Sequence, residues 1–250
     1  MGMARIRMTT LAVAAGLSAL FAASAAAEPA SWSRGTIDQT FSTTSPGTLT
    51  GLGFSGRYHA TDDPEANPPF MEKMVFHPPA GMRYDTSVPE QCTANDFELS
   101  MRGPAACPEG SIIGHGTTEG VFFIPFTQQN ATLHDYFHNV YIANNANEQI
   151  ILVQAEGYAV VRGRFLEDGS IEFASPTCFP TPPTGCLDDH ILQTASETAI
   201  PEYTKVVDSE SRSYATTPPS CPASGSWESR VVFTWRDGAV DDVVTRQPCS

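Results

Sequence analysis

The sequence predicts an all-β fold: a disulfide-stapled β-sandwich of mainly antiparallel strands, with one short helix near 93–99. Three observations carry this expectation. Short runs of branched and aromatic residues recur along the 250 residues with no sustained helical period. Turn-forming residues separate them, within a total of 20 prolines and 19 glycines. Six cysteines, an even number, supply a covalent frame for such a fold.

Taken in chain order, residues 28–50 read as an extended, loosely packed N-terminal segment rich in Ser and Thr, with a turn at Ser45-Pro46-Gly47. A β-sandwich domain then occupies 51–250. Phe54 and Tyr58 share one side of its first strand, before an acidic loop holding Asp62, Asp63 and Glu65. That loop lacks the twelve-residue calcium pattern and reads as a solvated turn. Met71 to Phe76 forms a strand that His77-Pro78-Pro79 ends, because proline removes a ladder donor. The short helix starts from Thr93 as N-cap, with Asp96 standing where a capping box has Glu or Gln. Gly116 to Phe126 leads into an apolar run.

The clearest strands are central and C-terminal. Gln149 to Gln154 carries branched residues on both faces, as a strand buried on both sides does. Tyr158 to Leu166 turns through Asp168-Gly169 into Ile171-Glu172-Phe173, since Asp-Gly tolerates the positive φ of a tight hairpin. Leu187 to Ala199 reads as a strand on its recurrent Thr and Ser, the alternative being a helix capped by Asp188 with Ile191, Leu192 and Ala195 on one face, and Tyr203–Val207 pairs with Arg212–Thr216 around Asp208-Ser209-Glu210. At the end, Val231, Phe233 and Trp235 alternate with Val232, Thr234 and Arg236, Asp237-Gly238 turns the chain, and Val240 to Thr245 returns.

Residues 1–27 have the layout of a secretory signal peptide. Arg5 and Arg7 precede an apolar stretch from Leu11 to Ala23, and Ala25-x-Ala27 stands before Glu28. The stretch falls short of the roughly 20 residues a membrane span needs. The expected location is therefore secreted, extracellular or cell-surface associated, with no stable membrane insertion after processing. In that oxidising compartment Cys92, Cys107, Cys178, Cys186, Cys221 and Cys249 read as three disulfides. Sequential pairing is the expected choice among those possible, since each bridge would close a local segment. Cys-x-x-Cys spacing is missing, so a zinc frame is not expected.

The whole chain has a formal net charge of −14, and loss of the leader's two arginines makes the remainder more acidic. Such a chain is repelled by phosphate backbones and anionic lipid, so nucleic acid is not an expected partner. The expected partner is an extracellular or cell-wall ligand of unknown kind, and no cofactor is expected.

Site signals are sparse. His134 and His138, four apart in HDYFH, form a candidate metal pair lacking a visible third ligand. Ser111, His115 and Glu119 contain the residue types of a nucleophile constellation but no G-x-S-x-G elbow. Glu119, Glu156, Glu172 and Glu228 flank strands, and glycoside hydrolysis would need two of them opposed. Trp32 and Trp227 are candidate ligand-contact aromatics, whereas Trp235 fits the core alternation. Asn130-Ala131-Thr132 is a sequon.

Two blocks carry a resemblance. MEKMVFHPPAGMRYDTSVPEQCTANDFELSMRGPAACPEGSIIGHG joins a strand, a Pro-Pro-x-Gly turn, Cys92, a short helix and Cys107-Pro108. CPASGSWESRVVFTWRDGAVDDVVTRQPC joins Cys-Pro, Trp, two strands across Asp-Gly, and Pro-Cys. Both resemble segments of secreted and cell-surface β-sandwich proteins of high-GC Gram-positive, actinobacterial type. The resemblance implies sandwich architecture and local disulfides, and assigns no activity to any residue. The expected function is thus a secreted non-catalytic structural or ligand-binding domain. The alternatives are a secreted hydrolase of extracellular polysaccharide and a metal-binding protein using His134 and His138.

Overall fold

The computed structural model describes residues 29–123, 132–154, 157–175, 179–181, 185–187, 191–207 and 209–250. The leader 1–27, the sequon's Asn130 and Ala131, Glu156 and Cys178 lie outside these. In chain order the first strands are β1 (Ala30–Trp32), β2 (Gly35–Phe41), β3 (Leu52–Tyr58), β4 (Met71–His77) and β5 (Arg83–Tyr84). Helix α1 (Asp96–Arg102) follows, then β6 (Ile112–Phe123), β7 (Thr132–Asn145), β8 (Glu148–Gln154), β9 (Tyr158–Phe165) and β10 (Ile171–Ala174). The rest are β11 (Phe179–Thr181), β12 (Gly185–Leu187), β13 (Ile191–Ile200), β14 (Thr204–Val207), β15 (Glu210–Ser213), β16 (Ala215–Thr216), β17 (Ser226–Trp235) and β18 (Val240–Pro248).

Among the described residues the fold is all-β, with antiparallel pairing throughout and one short α-helix. Its opposed layers belong to a single 12-stranded sheet, ordered β1-β2-β3-β13-β6-β7-β8-β9-β10-β4-β17-β18. Twist rolls this sheet until its edge strands meet, so that β18 packs against β1 and β2. Ile37 of β2 and Val243 of β18 are buried in the same core cluster at this seam.

Register explains the core. Val231, Phe233 and Trp235 of β17 all point inward, as the period of two requires. Trp32 stacks on Phe233 at 5.3 Å between centroids, and Tyr58 meets the same ring edge-on at 5.7 Å. Gly163 stands opposite Phe173 in the β9–β10 ladder, and a Cβ there would lie 2.2 Å from the Phe173 ring. The ring thus packs directly over the bare glycine backbone.

β8 confirms its expected double burial. Ile150 and Leu152 face outward into a cluster with Leu99 of α1, while Ile151 and Val153 face the interior. Helix α1 begins two residues later than expected, because Asn95 is the better cap. Its side chain accepts from Glu98 N at 2.9 Å while its own N–H donates to Glu98 Oε2 at 3.1 Å. Arg162 of β9 then ties the helix to the sheet, reaching Asp96 Oδ1 at 2.7 Å and Glu148 Oε2 at 2.7 Å.

The N-terminal segment is a second correction. Residues 30–41 are not loose: they form β1 and β2 of the main sheet, with Ile37 buried. Of the inward positions of β2, Gly35, Ile37, Gln39 and Phe41, only one is aliphatic, so no hydrophobic alternation stands out from the Ser and Thr around it. Two expected disulfides are present, Cys92–Cys107 and Cys221–Cys249, with Cα–Cα distances of 4.9 and 5.6 Å. Of the third expected pair, Cys178 lies outside the described residues, while Cys186 stands in β12, which pairs with β11.

Candidate functional site

The rolled sheet does not fill its own interior. Between its two walls lies a cavity of about 380 Å³, within the range of roughly 300–1,000 Å³ typical of small-molecule sites. One end is closed by Met82, Tyr84, Tyr214 and Ala215, which pack against Ile142 and Ile200. The Tyr214 hydroxyl accepts from Gln149 Nε2 at 2.7 Å, which satisfies both groups away from water. At the other end stand Phe70, Glu72, Ser175 and Arg236. The Arg236 guanidinium lies 5.0 Å from the centre of the Phe70 ring and 3.9 Å from Glu72 Oε1.

The two walls differ in chemistry, because different strands supply them. Strands β4, β8, β9 and β10 contribute Met74, Phe76, Ile151, Val153, Val161 and Phe173, an apolar surface. Strands β2, β13 and β6 contribute Gln39, Thr118, Gln193, Ser196 and Thr198 at inward positions, with Leu52, Phe54 and Tyr58 of β3 between them. Thr118 Oγ1 donates to Ala195 O at 2.8 Å and accepts from Gln193 Nε2 at 3.1 Å. Gln39 is 4% exposed, yet its Oε1 is cut off from solvent with no hydrogen-bond partner. Ser196 Oγ is equally enclosed and makes no well-formed hydrogen bond.

The Tyr58 hydroxyl sits beside Ser196, close over Gly56, where a Cβ would lie 2.4 Å from it. Burial pushes the Tyr58 phenol up to about 12, with the contact to Ser196 opposing weakly. Tyr84 and Tyr214 are raised further by the same desolvation. These phenols stay neutral at physiological pH, as donors and acceptors rather than bases.

The residues singled out by sequence do not converge here. His138 points inward from β7, its Nδ1 bonded to Gln154 O at 2.6 Å, and burial lowers its pKa against that bond. His134 also lies in β7, with its side chain outside the described residues. The candidate metal pair therefore lies partly outside the described residues. Among the described residues no three His, Cys, Asp or Glu groups are placed to hold a metal. Ser111 is buried and donates to Pro108 O at 2.6 Å, whereas His115 is exposed on the outer face, so no nucleophile constellation forms. Trp227 is a core residue, 2% exposed, with Nε1 donating to Ser220 O at 2.9 Å and its ring against Phe41. Trp32 is half-buried in the aromatic stack at the seam. The first presents no outer-face stacking surface. Glu172 is paired with Arg164 and Lys73, and Glu228 with Arg246.

On the outer face, β2, β3, β13 and β6 form a second, shallower groove holding Asp38, Ser55, Thr117 and Glu197 in one cross-strand row. Desolvation raises the Asp38 carboxyl, opposed by the Gln39 N–H. The Glu197 side chain is exposed.

The inner polar wall is the site that the sequence reading missed. Its signal was present: Gln39 at an inward position of β2, and Ser196 and Thr198 alternating along β13 where an ordinary core strand carries Val or Ile. Compared with protein-family models, with curated proteins and with solved structures, the chain finds no match in any of the three.

Proposed function

We propose that this chain is a secreted, non-catalytic ligand-binding domain that encloses one small, largely apolar molecule inside its rolled sheet. The observation that carries the reading is the cavity itself, about 380 Å³ of space between Met74, Ile151, Val161 and Phe173 on one side and a wall of polar residues interleaved with Leu52, Phe54 and Tyr58 on the other. Close packing is the rule for protein interiors, so a void of this size lined by side chains at their regular inward positions is a built feature. Secretion is supported by the leader and by two disulfides that an oxidising compartment favours.

Titration with Nile red, an uncharged apolar fluorophore, tests the reading. Saturable one-site binding is expected, and it is lost in Ala159→Phe, which places a ring in the cavity from a buried position. Binding that is unsaturable, or unchanged in that variant, refutes it.

A second reading, hydrolysis of extracellular polysaccharide, is favoured by the outer groove. Asp38 and Glu197 lie two strands apart in one row, about 9.6 Å between backbones at the usual strand spacing, near the carboxyl separation of inverting glycosidases. Release of reducing ends from soluble glucans and xylans, abolished by Glu197→Gln, is the outcome that supports it.

A further inference from the structure

We infer that the enclosed molecule carries a carbonyl group, as a ketone or an ester, at its inner end, and that the Tyr84 hydroxyl donates to it. The inference rests on the ligand-binding reading above and adds the ligand's chemical class. Tyr84 is not part of the rolled sheet. It belongs to β5, which pairs with β16 in a separate two-stranded sheet. From there it lines the closed end of the cavity, its ring 5.2 Å from that of Phe165 and 5.8 Å from that of Tyr214 between centroids.

Gln39 Oε1 and Ser196 Oγ are sealed within their wall, out of a ligand's reach. The Tyr84 hydroxyl is not. It makes no hydrogen bond among the described residues, yet it keeps accessible surface. Desolvation raises its pKa, with the Tyr214 phenol beside it adding to the rise, so the hydroxyl lies deep in the molecule and the space it faces is the cavity. Tyr214 is engaged with another partner, its hydroxyl accepting from Gln149 Nε2 at 2.7 Å. The Tyr84 proton thus points into a space whose facing wall is Phe76, Ile151, Val161 and Phe173. A buried donor without an acceptor is costlier and rarer than an acceptor with a spare lone pair, and a ligand that brings the acceptor removes the deficit.

A carbonyl oxygen accepts and brings no proton of its own. An alcohol adds a proton that needs a second partner, and a hydrocarbon supplies no acceptor. A carboxylate would accept, but its charge would be enclosed with no cation beside it. Among the described residues lining the cavity the one cation is Arg236, at the opposite end with Glu72.

Displacement of Nile red from the purified, disulfide-bonded protein at neutral pH tests this with three probes of one shape: 2-acetylnaphthalene, the secondary alcohol made by reducing it, and 2-isopropylnaphthalene. The ketone is expected to bind about ten-fold tighter than the hydrocarbon, the worth of one buried hydrogen bond, and tighter than the alcohol. In Tyr84→Phe, which removes only the hydroxyl, its advantage over the hydrocarbon falls below about three-fold, while the hydrocarbon binds as before. In the infrared spectrum the bound ketone's C=O stretch lies below its value in hexane, and returns towards it in Tyr84→Phe. Equal affinity of ketone and hydrocarbon, tightest binding of the alcohol, or a ketone preference retained in Tyr84→Phe overturns the inference and leaves the ligand-binding reading standing. Failure of Nile red itself to bind overturns both. The probe comparison and the infrared shift in the unmodified protein decide the matter even if Tyr84→Phe does not fold.

Discussion

Gln39→Leu is expected to stabilise the ligand-free protein. The residue is 4% exposed and its Oε1 has no partner, so in the folded state the amide has lost water and gained nothing for that oxygen. The penalty for such a group is about 1–3 kcal/mol. Leucine removes the polar atoms, keeps a side chain of similar size and adds its own apolar burial. Because the position borders a cavity, overpacking does not offset the gain. A net stabilisation of about 1–2 kcal/mol follows, which for a domain of this size raises Tm by roughly 2–8 °C. Urea unfolding followed by tryptophan fluorescence measures it, with Trp227 and Trp235 buried and Trp32 stacked on Phe233 as reporters. The midpoint should rise with the m-value unchanged. Gln39→Glu is the opposing control. A carboxyl at this site has its pKa raised by desolvation, so that variant is destabilised at pH 7 and recovers as pH falls and the group is protonated. A loss of 1 kcal/mol or more in Gln39→Leu would refute the reasoning, since it would mean the amide is a satisfied structural element.

Three further outcomes are expected. Replacing Cys92 and Cys107 together by serine removes a cross-link over 15 residues, costing about 3 kcal/mol by urea titration; a cost below 1 kcal/mol would mean α1 and its surroundings are held by Arg162 and Leu99 alone. Gly163→Ala drives a methyl into the Phe173 ring 2.2 Å away and should cost about 1–3 kcal/mol, an effect that Phe173→Leu in the same chain relieves if the clash is the cause. Stability should begin to fall as pH drops below about 6.5, where the enclosed His138 resists protonation, and fall further below about 4. The second fall has its cause in carboxyls held below their ordinary values, Asp85 and Glu172 among them. Burial raises Asp85, but hydrogen bonds from the Ser87 hydroxyl and N–H, with Arg212, outweigh it. Glu172 is held down by the Arg164 hydrogen bond against desolvation, with help from Lys73. A depressed folded pKa favours the native state above the unfolded pKa, so stability rising toward pH 3 would contradict this assignment. On the alkaline side Tyr58, raised to about 12 by burial, works in the opposite sense: stability is lost as pH climbs from 10 toward 12. Ultraviolet titration should show its phenolate forming only in that range or on unfolding.

The sequence by itself determined the elements wherever local chemistry was decisive. Asp168-Gly169 and Asp237-Gly238 turn their hairpins with φ of 83° at both glycines, an angle that any other side chain would resist. The alternation of Val231, Phe233 and Trp235 assigned a core face, and the even cysteine count anticipated the two bridges described. It misplaced the helix cap by two residues because Thr93 and Asn95 are both acceptable caps. Only the reciprocal Glu98 contact, a matter of three-dimensional fit, chose between them. It also placed residues 28–50 outside the packed domain, because β2 owes its position to a ladder with β3 and to packing against β18 across the rolled sheet. Such long-range pairing leaves little trace in local composition.

The cavity was beyond the sequence for the same reason. An inward Gln39, Ser196 or Thr198 looks like surface alternation on its own strand. Only closure of the sheet turns those residues toward Ile151, Val161 and Phe173, brought from the other half of the chain. Periodicity determines which residues share a face. Which two faces meet, and whether side chains fill the space between them, is decided by twist and strand order over the whole molecule.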